Sequence, residues 1–358
     1  MKNYKFFDRS HAAFSESLKH RINQHFKDNN IKKTADSNMW IKSVTALMLY
    51  LLPFVSILIF QPSNLLINFL SFLLMGFGVS FIGTSVMHDS LHRTYSKKQK
   101  INTIMSFSTL ILGIDATIWK VQHNVLHHSY TNIEGADEDI ASRYVLRFSP
   151  DQPLRWFHKF QHIYAIFFYA LFTLVRVTVG DFFKAFEYQK LGLLKSKKSF
   201  SFFIFTIFLK KLIYFAIIIG LPIILLPIST AWILTFFLVM HLTAGIILSL
   251  IFQPAHVMES SEFFESNDHE YKENWLVHQL KTTSNFGTGS KALTWFSGSL
   301  NHQVEHHLFP NICHIHYPEL SKIVKETTLE FGHPYHSQPS FAIAIYKHFS
   351  MLKQLGKK

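Results

Sequence analysis

Three histidine clusters stand far apart in the chain: His88-Asp89-Ser90-Leu91-His92, His123-Asn124-Val125-Leu126-His127-His128 and Gln303-Val304-Glu305-His306-His307. Imidazole is a good ligand for first-row metals, and an HxxxH spacing on a helix puts two rings on one face, one turn apart. A single such pair on a helix is commonly a surface or core feature. Three clusters, two of them ending in His-His and all close to long apolar runs, point instead to a polynuclear metal site. With His256 and Gln303 there are nine candidate ligands. That is too many for one ion of four to six ligands and enough for two. The shell is almost wholly neutral imidazole, unlike the carboxylate-rich di-iron bundles, so bound divalent ions would keep most of their charge. Zn, Cu, Fe and Ni all suit such a shell. The one cysteine, Cys313, excludes an intrachain disulfide, a thiolate zinc site and an iron–sulfur cluster.

The composition defines the setting. Of 358 residues 48% are hydrophobic, 37 are Phe and only 16% are charged, against roughly 25% in a typical soluble domain. This is the composition of an all-α integral membrane protein. The net charge of +12 is concentrated between apolar runs, which fits an anionic membrane surface and not nucleic acid.

Four runs are read as spans, 44–60, 65–87, 212–228 and 230–252, each near the ~17–25 residues a crossing needs. Short polar links pair them into two hairpins. Residues 1–43 are expected to form a cytosolic N-terminal segment lying partly helical at the membrane surface. The first apolar run begins too late for a cleaved signal peptide. Residues 88–211 and 253–318 are expected to form a cytosolic helical cap, and 319–358 a cytosolic tail, with 44–318 as the membrane domain. Two shorter runs, 104–119 and 163–177, read as membrane-embedded or surface helices, since Asp115 opposes a full crossing in the first.

Neither hairpin turn carries Lys or Arg, whereas the remaining connections are rich in both, so the termini and the cap fall on the cytosolic side. All three clusters then lie on one face of the membrane and can converge. His256, just past the fourth run, joins them. The expected metal ligands are His88, His92, His123, His127, His128, His256, His306 and His307. Gln303 is a weak or water-mediated ligand. Metal-bound imidazole generally gives its second nitrogen to an acceptor. The acids placed for that role are Asp89, Glu305, Asp137, Asp139 and Glu259. Arg143, Arg147, Arg155 and Lys159 are candidates for holding a phosphate-bearing head group, a role that a membrane-facing basic surface would equally explain. His158 and His162 read as an interfacial basic face, and His241 as a neutral histidine bonded between helices. His278 is a marginal site candidate, and His314 and His316 read as structural.

The three boxes resemble those of the membrane fatty acid desaturases, and most closely the acyl-lipid and front-end branch, in which Gln opens the third box. Trp119-Lys-Val-Gln-His-Asn, the run from Tyr130 to Ile140 and Asn301-His-Gln-Val-Glu-His-His-Leu-Phe-Pro310 resemble the surroundings of those boxes. The resemblance implies an enzyme with two iron ions that uses O2 and two electrons to insert a double bond into the acyl chain of an acyl-CoA or a lipid. It carries the ligand role onto the eight histidines named above. Zinc could replace iron in overexpressed protein, by the order of metal affinities. His302 stands where the family more often has an aromatic residue. No His-Pro-Gly-Gly haem motif is present, so neither haem nor flavin is expected in the chain. Electrons are expected from a separate ferredoxin-like or b-type-cytochrome-like donor with its reductase. The expected location is multi-pass in a membrane, the bacterial cytoplasmic membrane being favoured over the endoplasmic reticulum. Two rival readings use the same histidines. A hydroxylase or ketolase on the same scaffold differs only in product. A metal transporter would place ionisable residues inside its spans.

Overall fold

The structure is a computed structural model, and it describes residues 5–6, 11–141, 145–194, 199–265, 270–271 and 273–357. Helix α1 (Ala12–Asp28) is followed by α2 (Ser37–Phe60), whose first turn is capped by Asp36 accepting from the Met39 amide at 3.0 Å. Asn64 caps α3 (Leu65–Leu91) by accepting from the Leu66 and Ile67 amides, so the Gln61–Asn64 link is a turn that starts the return helix at once. Helix α4 (Gln99–Ile111) breaks before α5 (Ala116–His127), and the two axes differ by 108°. The break is Asp115, which caps α5 and pairs with Lys210 at 2.7 Å. Helix α6 (Trp156–Lys190) precedes a second hairpin, α7 (Phe200–Leu225) and α8 (Thr230–His256).

Five of these helices, α2, α3, α6, α7 and α8, are long and apolar enough to cross a membrane, which marks a membrane protein. Large side chains such as Leu52, Ile59, Phe60, Leu66, Phe167, Phe208 and Ile224 lie on the outer surface, where water would penalise them and lipid would not. The inner faces are close-packed. A Cβ on Gly245 of α8 would sit 2.2 Å from the Ala170 carbonyl of α6, so only glycine permits that crossing. Within the second hairpin the Tyr214 hydroxyl lies 2.9 Å from His241 Nε2, pairing residues equally distant from the turn, and Thr173 of α6 lies on the other ring nitrogen at 3.2 Å. This is the interhelical role expected of His241.

Over the ends of α3 and α8 sit α9 (Trp275–Thr282), α10 (Lys291–Phe296), α11 (Gln303–Leu308), α12 (Tyr317–Glu330) and α13 (Phe341–Leu355). Two small parallel ladders join them, Lys5–Phe6 with Glu270–Tyr271 and Ser284–Phe286 with His336–Gln338, so the fold is mostly, not wholly, helical.

Several elements differ from their expected course. The N-terminal helix turns its Phe14, Leu18, Ile22 and Phe26 stripe onto Leu320, Val324, Val304 and Leu308 of the cap. Residues 319–357 are likewise part of the packed body: His348 of α13 sits between the Tyr169 hydroxyl and the Val257 carbonyl, at 2.6 and 2.8 Å. Helix α7 begins at Phe200, ahead of the start expected at 212, so Lys210 and Lys211 lie inside it. Lys211 is buried inside it because Asp181 lies at 2.9 Å and three backbone carbonyls accept its remaining protons. His158, read as part of an interfacial basic face, is buried and accepts from the Arg155 amide.

Candidate metal centre

Two helices deliver the first ligands. In α3 the turn Ile82–Met87 is π-helical and leads into the box-one turn, where the His92 amide bonds the His88 carbonyl at 3.0 Å. His88 and His92 thus lie side by side with ring centroids 4.6 Å apart, as the HxxxH spacing predicts. The last residue of α8 is His256.

Box two departs from α-helical expectation. Residues Val121–His127 form a π turn, and the His128 amide bonds the His123 carbonyl at 3.0 Å. The wider turn swings His128 beside His123, their Nε2 atoms 3.2 Å apart, and sends His127 towards the other side. The Asn124 side chain ties this turn to the Leu91 carbonyl of box one. The third box forms α11, and its approach depends on Gly298. That residue has φ of +63°, and a Cβ on it would lie 2.3 Å from the Thr84 carbonyl. The loop ahead of box three therefore rests directly on the π turn ahead of box one.

The eight histidines converge in two linked groups. Ring nitrogens of His88, His92, His123 and His306 lie within 4.8 Å of one another, as do those of His127, His256 and His307. His128 joins His306 and His307 at the same separation and so bridges the two groups. All are buried except His92, which is partly so. Trp119 covers the open side with its ring 4.4 Å from that of His123.

Six of the outward nitrogens face acceptors, whereas His128 Nδ1 is buried without a hydrogen-bond partner among the described residues. His127 Nδ1 lies 3.0 Å from Asp137, and His307 Nδ1 lies 2.8 Å from Gln279 Oε1. His256 Nδ1 faces the Thr282 carbonyl at 3.3 Å, and His306 Nδ1 faces the Tyr317 hydroxyl at 3.3 Å. Asp89 lies 3.4 Å from His88 Nδ1, and Asp139 lies 3.8 Å from His123 Nδ1. An acceptor on Nδ1 fixes the proton there and leaves the Nε2 lone pair facing inward. Among the described residues the Nε2 atoms of His92, His256 and His307 are buried with no hydrogen-bond partner. Nε2 of His88 faces Nε2 of His306 at 3.2 Å, where at most one of the two can carry a proton. Buried lone pairs without donors are costly unless a cation takes them. Burial, and then mutual repulsion, holds His128, His306 and His307 well below the ordinary imidazole pKa, so they stay neutral and able to ligate. These clusters could bind metal, and their donor set fits two first-row divalent ions.

The remaining site candidates are scattered. Glu305 is buried but points to Asn285 and Tyr335, at 2.8 and 2.9 Å, and is 3.8 Å from His302; burial raises its pKa to about 7. Glu259 is exposed and accepts from Ser350 and Gln354 of α13. Gln303 is buried with its Nε2 unpartnered among the described residues, and so are both ring nitrogens of His302. The Arg147 guanidinium is buried and donates to the Gln152, Leu355 and Pro150 carbonyls, while Arg155 and Lys159 are exposed. Arg143 lies outside the described residues. His278 bonds the Thr131 carbonyl at 2.8 Å, and its neighbour Gln279 is the residue that reaches the centre. The sequence gives no direct signal for Gln279 or Tyr317, since each acts through a contact distant in the chain.

The sequence has known relatives. Residues 63–339 match the family model described as fatty acid desaturase. The chain belongs to the fatty acid desaturase family. It is 33% identical to the acyl-lipid (8-3)-desaturase of Physcomitrium patens, covering 98% of this chain and 73% of that protein. It is 30% identical to the sn-1 linoleoyl-lipid 6-desaturase of Arthrospira platensis, over 96% and 93% of the two chains. It is 33% identical to the Delta(5) fatty acid desaturase A of Dictyostelium discoideum, over 96% and 75%. As a fatty acid desaturase the protein is an oxidoreductase of lipid metabolism, with an acyl or lipid substrate and a membrane setting. The resemblance drawn from the three boxes is thereby confirmed.

Proposed function

We propose that the protein inserts a double bond into the acyl chain of a membrane lipid, using O2, two electrons from a separate donor protein and two iron ions. The observation that carries this reading is the convergence of the eight histidines, from four distant segments, into two linked groups. Iron is preferred to zinc because removing two hydrogens from unactivated carbon is an oxidation and zinc has no redox chemistry. When bound, the two ions supply the activation of O2 that side chains cannot provide. His88, His92, His123 and His306 would hold one and His127, His256 and His307 the other, with His128 between them. Asp137, Gln279, Tyr317 and the Thr282 carbonyl keep the Nδ1 protons on the outer nitrogens and fix each ring. Trp119 keeps water from the His123 side. O2 takes up four electrons, two from the C–H bonds and two from the donor, and leaves as two waters. The names of two of the relatives, acyl-lipid and linoleoyl-lipid, favour a lipid-bound chain over acyl-CoA, and their positions favour the carboxyl side of an existing double bond.

Four crossings, with cap and termini in the cytosol, are part of the same proposal. Both α3 and α8 end at the histidines, and each returns from its hairpin turn, so α2 and α7 start on the cap side. Helix α6 lies between box two and α7, both on that side. Crossing the membrane once would leave α7 starting on the wrong face. The expected path for α6, and for the bent α4–α5 pair, is into the membrane and back or along it, as read for 104–119 and 163–177. The test of function is gas chromatography of fatty acids from an expressing host fed defined polyunsaturated chains. New double bonds support the reading. Hydroxylated products from metal-loaded protein would favour the hydroxylase on the same scaffold.

A further inference from the structure

Behind box one lies a second buried polar cluster that the eight ligands do not include. Asp89 Oδ1 faces two imidazoles: His88 Nδ1 at 3.4 Å and His314 Nδ1 at 2.9 Å. Its other oxygen accepts from the His314 amide at 3.2 Å and the Cys313 thiol at 3.1 Å. The far nitrogen of His314, Nε2, lies 3.0 Å from Lys42 Nζ of α2. Lys42, Asp89 and His314 are 4%, 2% and 0% exposed. Although Asp89, Cys313 and His314 are of metal-binding types, an ammonium group beside them opposes a cation. It also settles where the proton is. Lys42 as ammonium can only donate, so His314 Nε2 accepts and the imidazole proton sits on Nδ1, the nitrogen 2.9 Å from the Asp89 carboxylate.

We propose that His314, anchored by Lys42, is a positioning residue of the metal centre: it holds the Asp89 carboxylate against His88 Nδ1 and so sets the orientation and basicity of one ligand of the His88–His92–His123–His306 group. A carboxylate flanked by two imidazoles has its direction fixed from both sides, and outer partners of this kind tune metal affinity. Lys42 extends the chain to the first apolar helix, so the packing of α2 against the cap is coupled to the same ligand. The inference rests on the two-metal reading above.

Two conservative variants separate positioning from mere packing. In His314→Asn the amide Nδ2 takes the place of imidazole Nδ1 and can still donate to Asp89. In His314→Gln the amide reaches further, towards Lys42, and the donor to Asp89 is lost. Full-length protein in lipid nanodiscs is stripped of metal and titrated with Co(II), reading affinity and visible absorption. The wild type is expected to take up two ions. His314→Gln is expected to weaken one of them about 10- to 100-fold and to alter its absorption, leaving the other unchanged. His314→Asn is expected to stay close to the wild type. Equal behaviour of the two variants, whether both bind as the wild type or both lose metal or fold, would overturn the inference. A folded wild type that binds no Co(II) would instead defeat the two-metal reading itself.

Discussion

His88 Nε2 and His306 Nε2 lie 3.2 Å apart, although 218 residues separate them in the chain. The contact joins the end of a membrane helix to the cap helix α11. His306 also belongs to the set with His128 and His307, so it touches both halves of the centre. Replacing His306 with Ala should therefore reduce bound metal by more than replacing the partly exposed His92. Metal analysis of the two purified variants checks this, and equal losses would count against the shared placement.

Gln279 should behave as part of the centre while its neighbour His278 does not. Gln279 Oε1 accepts from His307 Nδ1, whereas His278 bonds only backbone on the box-two side among its described ring-nitrogen contacts. Gln279→Leu is expected to weaken metal binding roughly 10- to 100-fold with little change in melting temperature. Gln279→Glu, which keeps the acceptor, should restore most of it. Metal titration alongside thermal unfolding distinguishes the two effects.

The box histidines and their convergence were legible in the sequence because ligand spacing and the order of apolar runs are local properties. The partition of ligands between the two groups was not. It depends on the π turn at Val121–His127, which places His128 where α-helical spacing would place His127. The start of α7 was hidden for a different reason. Lys210 and Lys211 look like a membrane boundary until Asp115 and Asp181, far away in the chain, are seen to pair with them. Gln279 and Tyr317 were unreadable because a single polar residue carries no periodic signal.

Gly298→Ala should destabilise the fold and the centre together. The position has φ of +63°, which costs a non-glycine residue on the order of 1–3 kcal/mol, and the new methyl would meet the Thr84 carbonyl. A lowered unfolding temperature with reduced metal content is expected. An unchanged temperature would mean that the loop can lift off the π turn freely.

Stability should fall in acid partly through His348. Burial lowers its pKa to about 4, while an unfolded histidine titrates near 6.5. The unfolded state therefore takes the proton first, so the contribution is fully present above pH 6.5 and is lost as pH falls towards 4. His348→Gln should show a shallower decline in unfolding temperature between pH 7 and pH 4.5 than the wild type. Parallel declines would remove His348 from that account.

His256 has the least motif support of the ligands, yet its ring lies 4.7 Å from those of both His127 and His307. His256→Ala should abolish desaturation and lower metal content, whereas His241→Ala, on the same helix, should keep its metal and appreciable activity. Product analysis and metal content, read on both variants, decide it.

The most direct test of the two-group centre is the ratio of transition metal to protein in folded wild type purified in nanodiscs. Two ions per chain are expected, iron after expression in iron-replete cells or zinc in part after overexpression. A ratio near zero in folded protein, or one ion that no added metal raises, would contradict it.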